Sequence, residues 1–146
     1  MVEFQNLIRE SNLDKRSIFI DFVPPWRIPS IIKLSTCVVV PERDFPIQHH
    51  MPILPREVMA VGKCLILSKE LYNKQYYGNL TDGENVLLID PNNIEQFRAI
   101  IEDVIQNPDT ALRIGQNAYE FSKQIENFKD YIDLTIDLYA SVIKTH

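Results

Sequence analysis

Residues 54–63 read Leu-Pro-Arg-Glu-Val-Met-Ala-Val-Gly-Lys and run directly into an apolar stretch, Cys-Leu-Ile-Leu-Ser, at 64–68. This pattern predicts a short helix followed by a buried strand. Pro55 suits the first helical turn, where its missing N–H is not needed, and Gly62 suits the position just past the helix end, where a left-handed backbone is favoured. Glu57 falls in the first turn, at the carboxyl side of a strand predicted at 36–40. Ligands bind at that side of open parallel sheets, and a carboxylate there can accept hydrogen bonds from a vicinal diol such as a ribose.

Strands alternate with helices along the rest of the chain. Apolar runs predict strands at 17–20, 36–40, 63–68 and 85–90. Helical spacing of apolar residues predicts helices over 2–11, 29–35, 55–61, 92–106, 109–126 and 128–143, and a helical turn within 69–78. Such alternation is typical of an α/β fold with a parallel sheet. A length of 146 residues fits one domain, residues 1–146.

Composition and charge exclude several classes of protein. The chain has 20 acidic and 15 basic residues, whereas a protein that binds duplex DNA needs a basic stripe. Its apolar runs fall short of the roughly 20 residues that a membrane span needs. The first residues lack the pattern of a signal peptide. We therefore expect no nucleic-acid partner and a cytoplasmic location.

Two cysteines and two adjacent histidines are the candidates for redox or metal chemistry. Cys37 and Cys64 lie in predicted strands and form a disulfide only if those strands are neighbours in the right register. Two buried free thiols are the favoured interpretation. His49 and His50 match no zinc spacing, so no metal is expected.

A long loop and a group of tyrosines stand near the central helix in the sequence. The loop over residues 42–53 has about a dozen residues, a length more often functional than not. Tyr72, Tyr76 and Tyr77 would either stack on a base or sugar or cover the rim of the core. The second interpretation is favoured for such tyrosines.

Several stretches resemble one known family. Residues 55–63 are similar to the Leu-Glu-Ala-Met-Ala-x-Gly-Lys-Pro segment of retaining GT-B glycosyltransferases of the glycosyltransferase family 4 type. Residues 82–91, Asp-Gly-Glu-Asn-Val-Leu-Leu-Ile-Asp-Pro, are similar to its Asp-Gly-x-Asn-Gly-Leu-Leu-Val-Asp-Pro. Weaker likenesses at 18–24, 36–41 and 107–118 follow in the family's order, so that the resemblance extends over residues 4–125.

The resemblance implies a C-terminal, donor-binding domain with a Rossmann-like open parallel sheet of about four strands and flanking helices. Its substrate would be a nucleotide-sugar, transferred with retention and without a metal or other cofactor. By position in the family's motifs, Glu57 would hold the ribose hydroxyls. Backbone N–H groups around His50 to Leu54 would face the phosphates and donor sugar, which suits a helix start. The turn formed by Asp21, Phe22 and Val23 would lie near the nucleotide base of the donor.

Departures from the family pattern bear on activity. His49 stands where the family has the first of two glutamates, and Met51-Pro52-Ile53 replaces a Gly-Phe-Gly in which backbone approaches the donor. If His49 reaches the site it would donate a hydrogen bond to the sugar or phosphate; a solvated loop histidine is slightly favoured. No residue is assigned a catalytic role.

The resemblance also implies that part of the family's architecture is missing. Neither its first strand–helix–strand unit, which carries an Arg and a Lys, nor its N-terminal acceptor-binding domain is matched. We therefore expect an incomplete donor lobe, inactive alone, whose exposed sheet edges favour self-association. The parent transferase would work in the cytoplasm or at the cytoplasmic face of a membrane.

Two alternatives remain open. The first is a non-catalytic GT-B-like module for interaction or assembly that has lost donor binding. His49, Pro52 and a total of four glycines favour it. The second is a flavodoxin-like or response-regulator domain, which would need an acidic cluster after its first strand, where only Asp21 is present.

Overall fold

The computed structural model describes residues 2–47, 50–74, 77–125 and 128–144. Its strands are β1 (Cys37–Val40), β2 (Cys64–Ser68) and β3 (Leu87–Ile89). Its α-helices are α1 (Val2–Glu10), α2 (Ile28–Leu34), α3 (Leu54–Val61), α4 (Lys69–Asn73), α5 (Ile94–Gln106), α6 (Pro108–Ile125) and α7 (Phe128–Lys144), and two short 3₁₀ helices cover Asp14–Arg16 and Pro25–Arg27. None of the helices in these ranges is long and apolar enough to cross a membrane.

The strands form a parallel three-stranded sheet in the order β1-β2-β3. Val39 pairs with Ile66, and Ile66 with Leu87. Every residue of the central strand β2 is buried, as expected for a parallel sheet covered on both faces by helices. The α/β, Rossmann-like fold class predicted from the sequence is therefore confirmed.

Two hydrophobic clusters cover the two faces of the sheet. Successive side chains of a strand point to opposite faces, so Leu65 and Leu67 of β2 pack in one cluster while Cys64 and Ile66 pack in the other. The first cluster includes Ile32, Val58, Met59, Leu71 and Tyr77, from α2, α3, α4 and the chain after it. The second includes Val104, Ala111 and Ile114, from α5 and α6.

Helix α3 has the ends that its sequence predicts. Pro55 lies in the first turn, and Gly62 follows the last turn with φ 75° and ψ 35°, a left-handed conformation. The Gly62 N–H donates to the Met59 carbonyl (2.9 Å), and the Lys63 N–H donates to the Val58 carbonyl (3.2 Å). These bonds satisfy carbonyls at the helix end and turn the chain directly into β2.

The strand predicted at 17–20 is wrong. Ser17 has extended backbone angles, but no described strand pairs with this segment, and the Ile18 side chain is 88% exposed. An apolar run becomes a strand only where a neighbour satisfies its N–H and C=O groups. The described sheet accordingly has three strands instead of about four.

The strand predicted at 85–90 is shorter than expected because the preceding turn uses backbone groups of its first residues. The Asn85 N–H donates to the Thr81 carbonyl (3.1 Å), and the Val86 carbonyl accepts from the Gly83 N–H (2.8 Å). Regular pairing therefore begins only at Leu87.

The two cysteines lie opposite each other. Cys37 pairs with Cys64 in the register of β1 and β2. The two strands are therefore neighbours, as a disulfide between these cysteines would require, yet both thiols are free. Burial, with a smaller contribution from Cys37, raises the pKa of Cys64 to about 12. The favoured interpretation, two free thiols, is confirmed, although Cys37 is only partly buried.

Candidate functional site

Three segments meet at the carboxyl edge of the sheet. The loop of residues 41–53 leaves β1 there, α4 leaves β2, and α3 begins where the loop ends. Arg43 of the loop also reaches the turn after β3, since its Nη1 donates to Asn92 Oδ1 (2.8 Å). This edge is the place where parallel α/β sheets bind ligands.

Glu57 lines a cavity of about 320 Å³ at this edge, here called the Glu57 cavity. Its walls are Met51, Pro52, Ile53, Arg56, Glu57 and Ala60. Glu57 is partly buried, and no described residue supplies its carboxylate with a hydrogen bond or an ion pair. No buried side-chain oxygen of the described residues lacks a partner, so the Glu57 oxygens are reached by solvent and are open to a ligand.

A second cavity, of about 360 Å³, lies on the other side of the start of α3 and is almost wholly apolar. We call it the Leu54 cavity; it is lined by Ile20, Asp21, Val23, Ile28, Ile31, Ile32, Ser35, Val38 and Leu54. Ile53 lines the Glu57 cavity while Leu54 lines this one. The two cavities therefore flank the first turn of α3.

The structure brings together only some of the residues predicted for the site. Asp21, Val23 and Leu54 share the Leu54 cavity, whereas the Phe22 side chain is 87% exposed and does not line it. His50 lines neither cavity; its Nε2 lies 3.1 Å from Glu42 Oε2. His49 lies outside the described residues.

The backbone ahead of α3 offers fewer donors than the prediction for His50 to Leu54 assumed. The His50 N–H is already used, because it donates to the Ile47 carbonyl (3.2 Å), and Pro52 has no N–H. The N–H groups of Met51, Ile53 and Leu54 have no acceptor among the described residues. Three N–H groups are therefore left to face an anion at this helix start.

The tyrosines confirm the core-rim interpretation where they are described. Tyr77 is 2% exposed, and its hydroxyl donates to the Pro52 carbonyl (2.8 Å). Tyr72 is partly buried against the first hydrophobic cluster. Tyr76 lies outside the described residues.

A polar cluster on the loop was not predicted from the sequence. The Glu70 carboxylate accepts hydrogen bonds from the N–H groups of Asp44 and Phe45. Lys74 Nζ lies 3.2 Å from Glu70 and 3.4 Å from Glu42. The spacing of Glu70 and Lys74 is the one signal that the sequence offered, since residues four apart share a helix face.

The pKa shifts in this cluster follow from its hydrogen bonds. Desolvation opposes ionisation of Glu70, but the hydrogen bonds from Lys74, Phe45 and Asp44 outweigh it and lower the pKa of Glu70. Desolvation likewise opposes the charge on Lys74, but Glu70 and Glu42 outweigh it and raise the pKa of Lys74. Both side chains are therefore charged at neutral pH.

The fold is that of a Rossmann-like domain, with a cavity on each side of the first turn of α3. A family model described as glycosyl transferases group 1 matches residues 2–121. The chain belongs to this glycosyltransferase family, and the flavodoxin-like and response-regulator alternatives are thereby excluded. No curated protein sequence matches significantly.

Two solved structures share the fold. A sucrose-phosphate synthase from Thermosynechococcus elongatus superposes with a TM-score of 0.83 over 98% of this chain, at 21% identity. The C-terminal domain of a glycosyl transferase group 1 family protein from Francisella tularensis superposes with a TM-score of 0.69 over 84% of the chain, at 24% identity. These likenesses assign the fold of a GT-B C-terminal domain. The chain spans 34% of the synthase chain and 60% of the Francisella chain.

Proposed function

We propose that this chain supplies most of the donor-binding lobe of a retaining glycosyltransferase of the family 4 type. The lobe binds a nucleotide-sugar, and a separate acceptor-binding domain completes the enzyme. Glu57 accepts hydrogen bonds from the ribose hydroxyls, and the free N–H groups at the start of α3 face the diphosphate. The reaction needs no metal or other cofactor in this proposal.

One observation carries the proposal: the partly buried Glu57 carboxylate has no partner among the described residues and lines a cavity at the carboxyl edge of the sheet. A vicinal diol supplies two hydroxyl donors, which match the two oxygens of a carboxylate. The Leu54 cavity, with its apolar walls, Asp21 and a volume of about 360 Å³, lies next to it and would take the nucleotide base. Family membership and the GT-B fold favour this ligand class over others.

The test is a thermal-shift titration with uridine diphosphate and guanosine diphosphate. A ligand at a hundred times its Kd stabilises a protein by about 2.7 kcal/mol. We expect one of these nucleotides to raise the Tm of the wild type and to have little effect on Glu57→Gln. The substitution keeps the size of the side chain but replaces one acceptor oxygen with a donor group.

Glu95→Gln is the matched control, since Glu95 is also an acid in the first turn of a helix, α5, and lines neither of the two cavities. It should respond to nucleotide as the wild type does. An equal shift in Glu57→Gln and the wild type would contradict the role of Glu57. The absence of a shift in the wild type with every nucleoside diphosphate would contradict donor binding.

The second candidate is a GT-B-like module for interaction or assembly. Exposed apolar side chains favour it, among them Ile18, Phe22, Trp26 and Leu34, together with the unpaired outer edge of β1. In this case the chain would self-associate through its sheet edges and would not respond to nucleotides. Sedimentation velocity across a range of concentrations distinguishes a monomer from such an assembly.

Location in the cytoplasm belongs to the same proposal. Two free thiols, opposite each other on neighbouring strands, suit a reducing compartment.

A further inference from the structure

We propose that Glu70 and Lys74 are positioning residues: with Glu42 they form a clamp that fixes the described parts of the loop, residues 41–47 and 50–53, and thereby the wall of the Glu57 cavity. This inference rests on the proposed donor site. It adds residues from the helix after β2 to a site that otherwise belongs to the loop and α3.

Glu70 holds the first half of the loop by its backbone. Its carboxylate accepts from two successive N–H groups, those of Asp44 and Phe45. Asp44 has a positive φ of 52°, a conformation that non-glycine residues rarely adopt and that aspartate tolerates better than most. The left-handed turn at Asp44 brings the two N–H groups together at one carboxylate.

Lys74 ties the two halves of the loop together. Its ammonium group lies between Glu70 and Glu42, and Glu42 Oε2 in turn contacts His50 Nε2 at 3.1 Å. The Phe45 ring packs on the His50 ring, with centroids 4.3 Å apart, and Lys74 Nζ lies 5.8 Å from the Phe45 centroid. The clamp therefore contacts the loop at residues 42, 44, 45 and 50.

These contacts end immediately before the cavity. Met51, Pro52 and Ile53 follow His50 in the chain and form one wall of the Glu57 cavity. The Tyr77 hydroxyl holds the same wall through the Pro52 carbonyl. A displacement of His50 would therefore move the cavity wall and the free N–H groups of Met51 and Ile53.

The side chains of Glu42, Lys74 and Glu70 are 16%, 14% and 30% exposed, so the clamp is partly buried, but none of the three belongs to the two hydrophobic clusters. A loop held by such contacts can open locally while the core stays folded. Loop order and ligand affinity are therefore the quantities that should change when the clamp is removed, while the Tm of the unligated chain should change little.

Hydrogen–deuterium exchange tests the clamp directly on the full chain. In Glu70→Gln and Lys74→Met, exchange of the hydrogen-bonded amides of Asp44, Phe45 and His50 should become about tenfold faster, the change that matches the loss of one charge-assisted hydrogen bond. Lys74→Arg keeps the charge and should restore protection. Glu102→Gln removes the exposed partner of Arg98 on α5 and is the control, in which the loop should exchange as in the wild type.

The second readout is the Kd of uridine diphosphate or guanosine diphosphate, whichever binds the wild type. Glu70→Gln should raise this Kd severalfold while its unligated Tm changes no more than that of Glu102→Gln. Unchanged exchange at these three amides in Glu70→Gln would overturn the clamp. Faster exchange with an unchanged Kd would overturn its role in positioning the site.

Failure of the donor site is distinguishable from failure of the clamp. If no nucleotide binds the wild type, the proposed function is wrong. The clamp is then judged by exchange at His50, whose N–H donates to the Ile47 carbonyl and not to Glu70: faster exchange in Glu70→Gln supports it, and unchanged exchange refutes it.

Discussion

The hydroxyl of Tyr77 donates a 2.8 Å hydrogen bond to the carbonyl of Pro52, across 25 residues of sequence. Tyr77 belongs to the hydrophobic cluster on one face of the sheet, and Pro52 belongs to the wall of the Glu57 cavity. The bond thus fastens a loop residue of the candidate site to a side chain that cannot move without disturbing the core.

Tyr77→Phe should destabilise the protein by about 1 kcal/mol, because it removes this hydrogen bond and leaves the Pro52 carbonyl without its donor. The ring and its packing remain. Urea denaturation followed by circular dichroism measures the change. Tyr139→Phe is the control, since Tyr139 is 66% exposed on α7; equal stabilities for the two variants would contradict the prediction.

Gly115→Ala should destabilise the protein by about 1–2 kcal/mol, as overpacking does. Gly115 lies inside α6, where an alanine would otherwise gain about 1 kcal/mol of helix propensity. An added Cβ, however, would collide with the Gly62 carbonyl oxygen and lie 3.0 Å from the Cys64 backbone nitrogen. Denaturant midpoints decide between the two effects, and a variant more stable than the wild type would refute the close approach of α6 to the end of α3.

Cys37 should react with iodoacetamide before Cys64 does in the native protein. The thiolate is the reactive form, and burial raises the pKa of Cys64 to about 12, so this thiol is almost fully protonated at pH 8. Burial also raises the pKa of Cys37, which is less buried. Mass spectrometry of peptides from a labelling time course gives the order, and equal rates after denaturation provide the control.

The contribution of Glu70 to stability should depend on pH in one direction. Its pKa is lowered in the folded chain from the ordinary value of 4.5. Its stabilising effect is therefore complete above pH 4.5 and is lost as the pH falls through the lowered pKa. The free energy of local loop opening, measured by hydrogen–deuterium exchange at the Asp44 and Phe45 amides, should differ most between the wild type and Glu70→Gln near pH 6, and the difference should shrink towards pH 3. A difference that grows on acidification would contradict the shift.

Local chemistry made some elements predictable. The start and end of α3 follow from Pro55 and Gly62, whose backbone preferences hold in any context. Strands β1 and β2 follow from apolar runs that the fold buries. The position of Glu57 at the carboxyl edge then follows from the order of these elements.

Contacts between distant segments were not predictable in the same way. The segment 17–20 has the composition of a strand, but pairing depends on which backbone lies beside it. Glu70 contacts Asp44 and Phe45, which lie 26 and 25 residues away in the sequence. The types and spacing of these residues do not indicate that α4 packs against the loop. His50 was predicted near the ligand, yet its nearest charged partner is Glu42.

The fixed ends of α3 also limit how this part of the chain can change in length. With proline in its first turn and a left-handed glycine after its last, the helix has eight residues. Each residue of an α-helix turns the next by about 100°, so one inserted residue would swing Glu57 away from the cavity or Val58 and Met59 out of the core. We expect insertions and deletions in natural variants to be absent from 54–62.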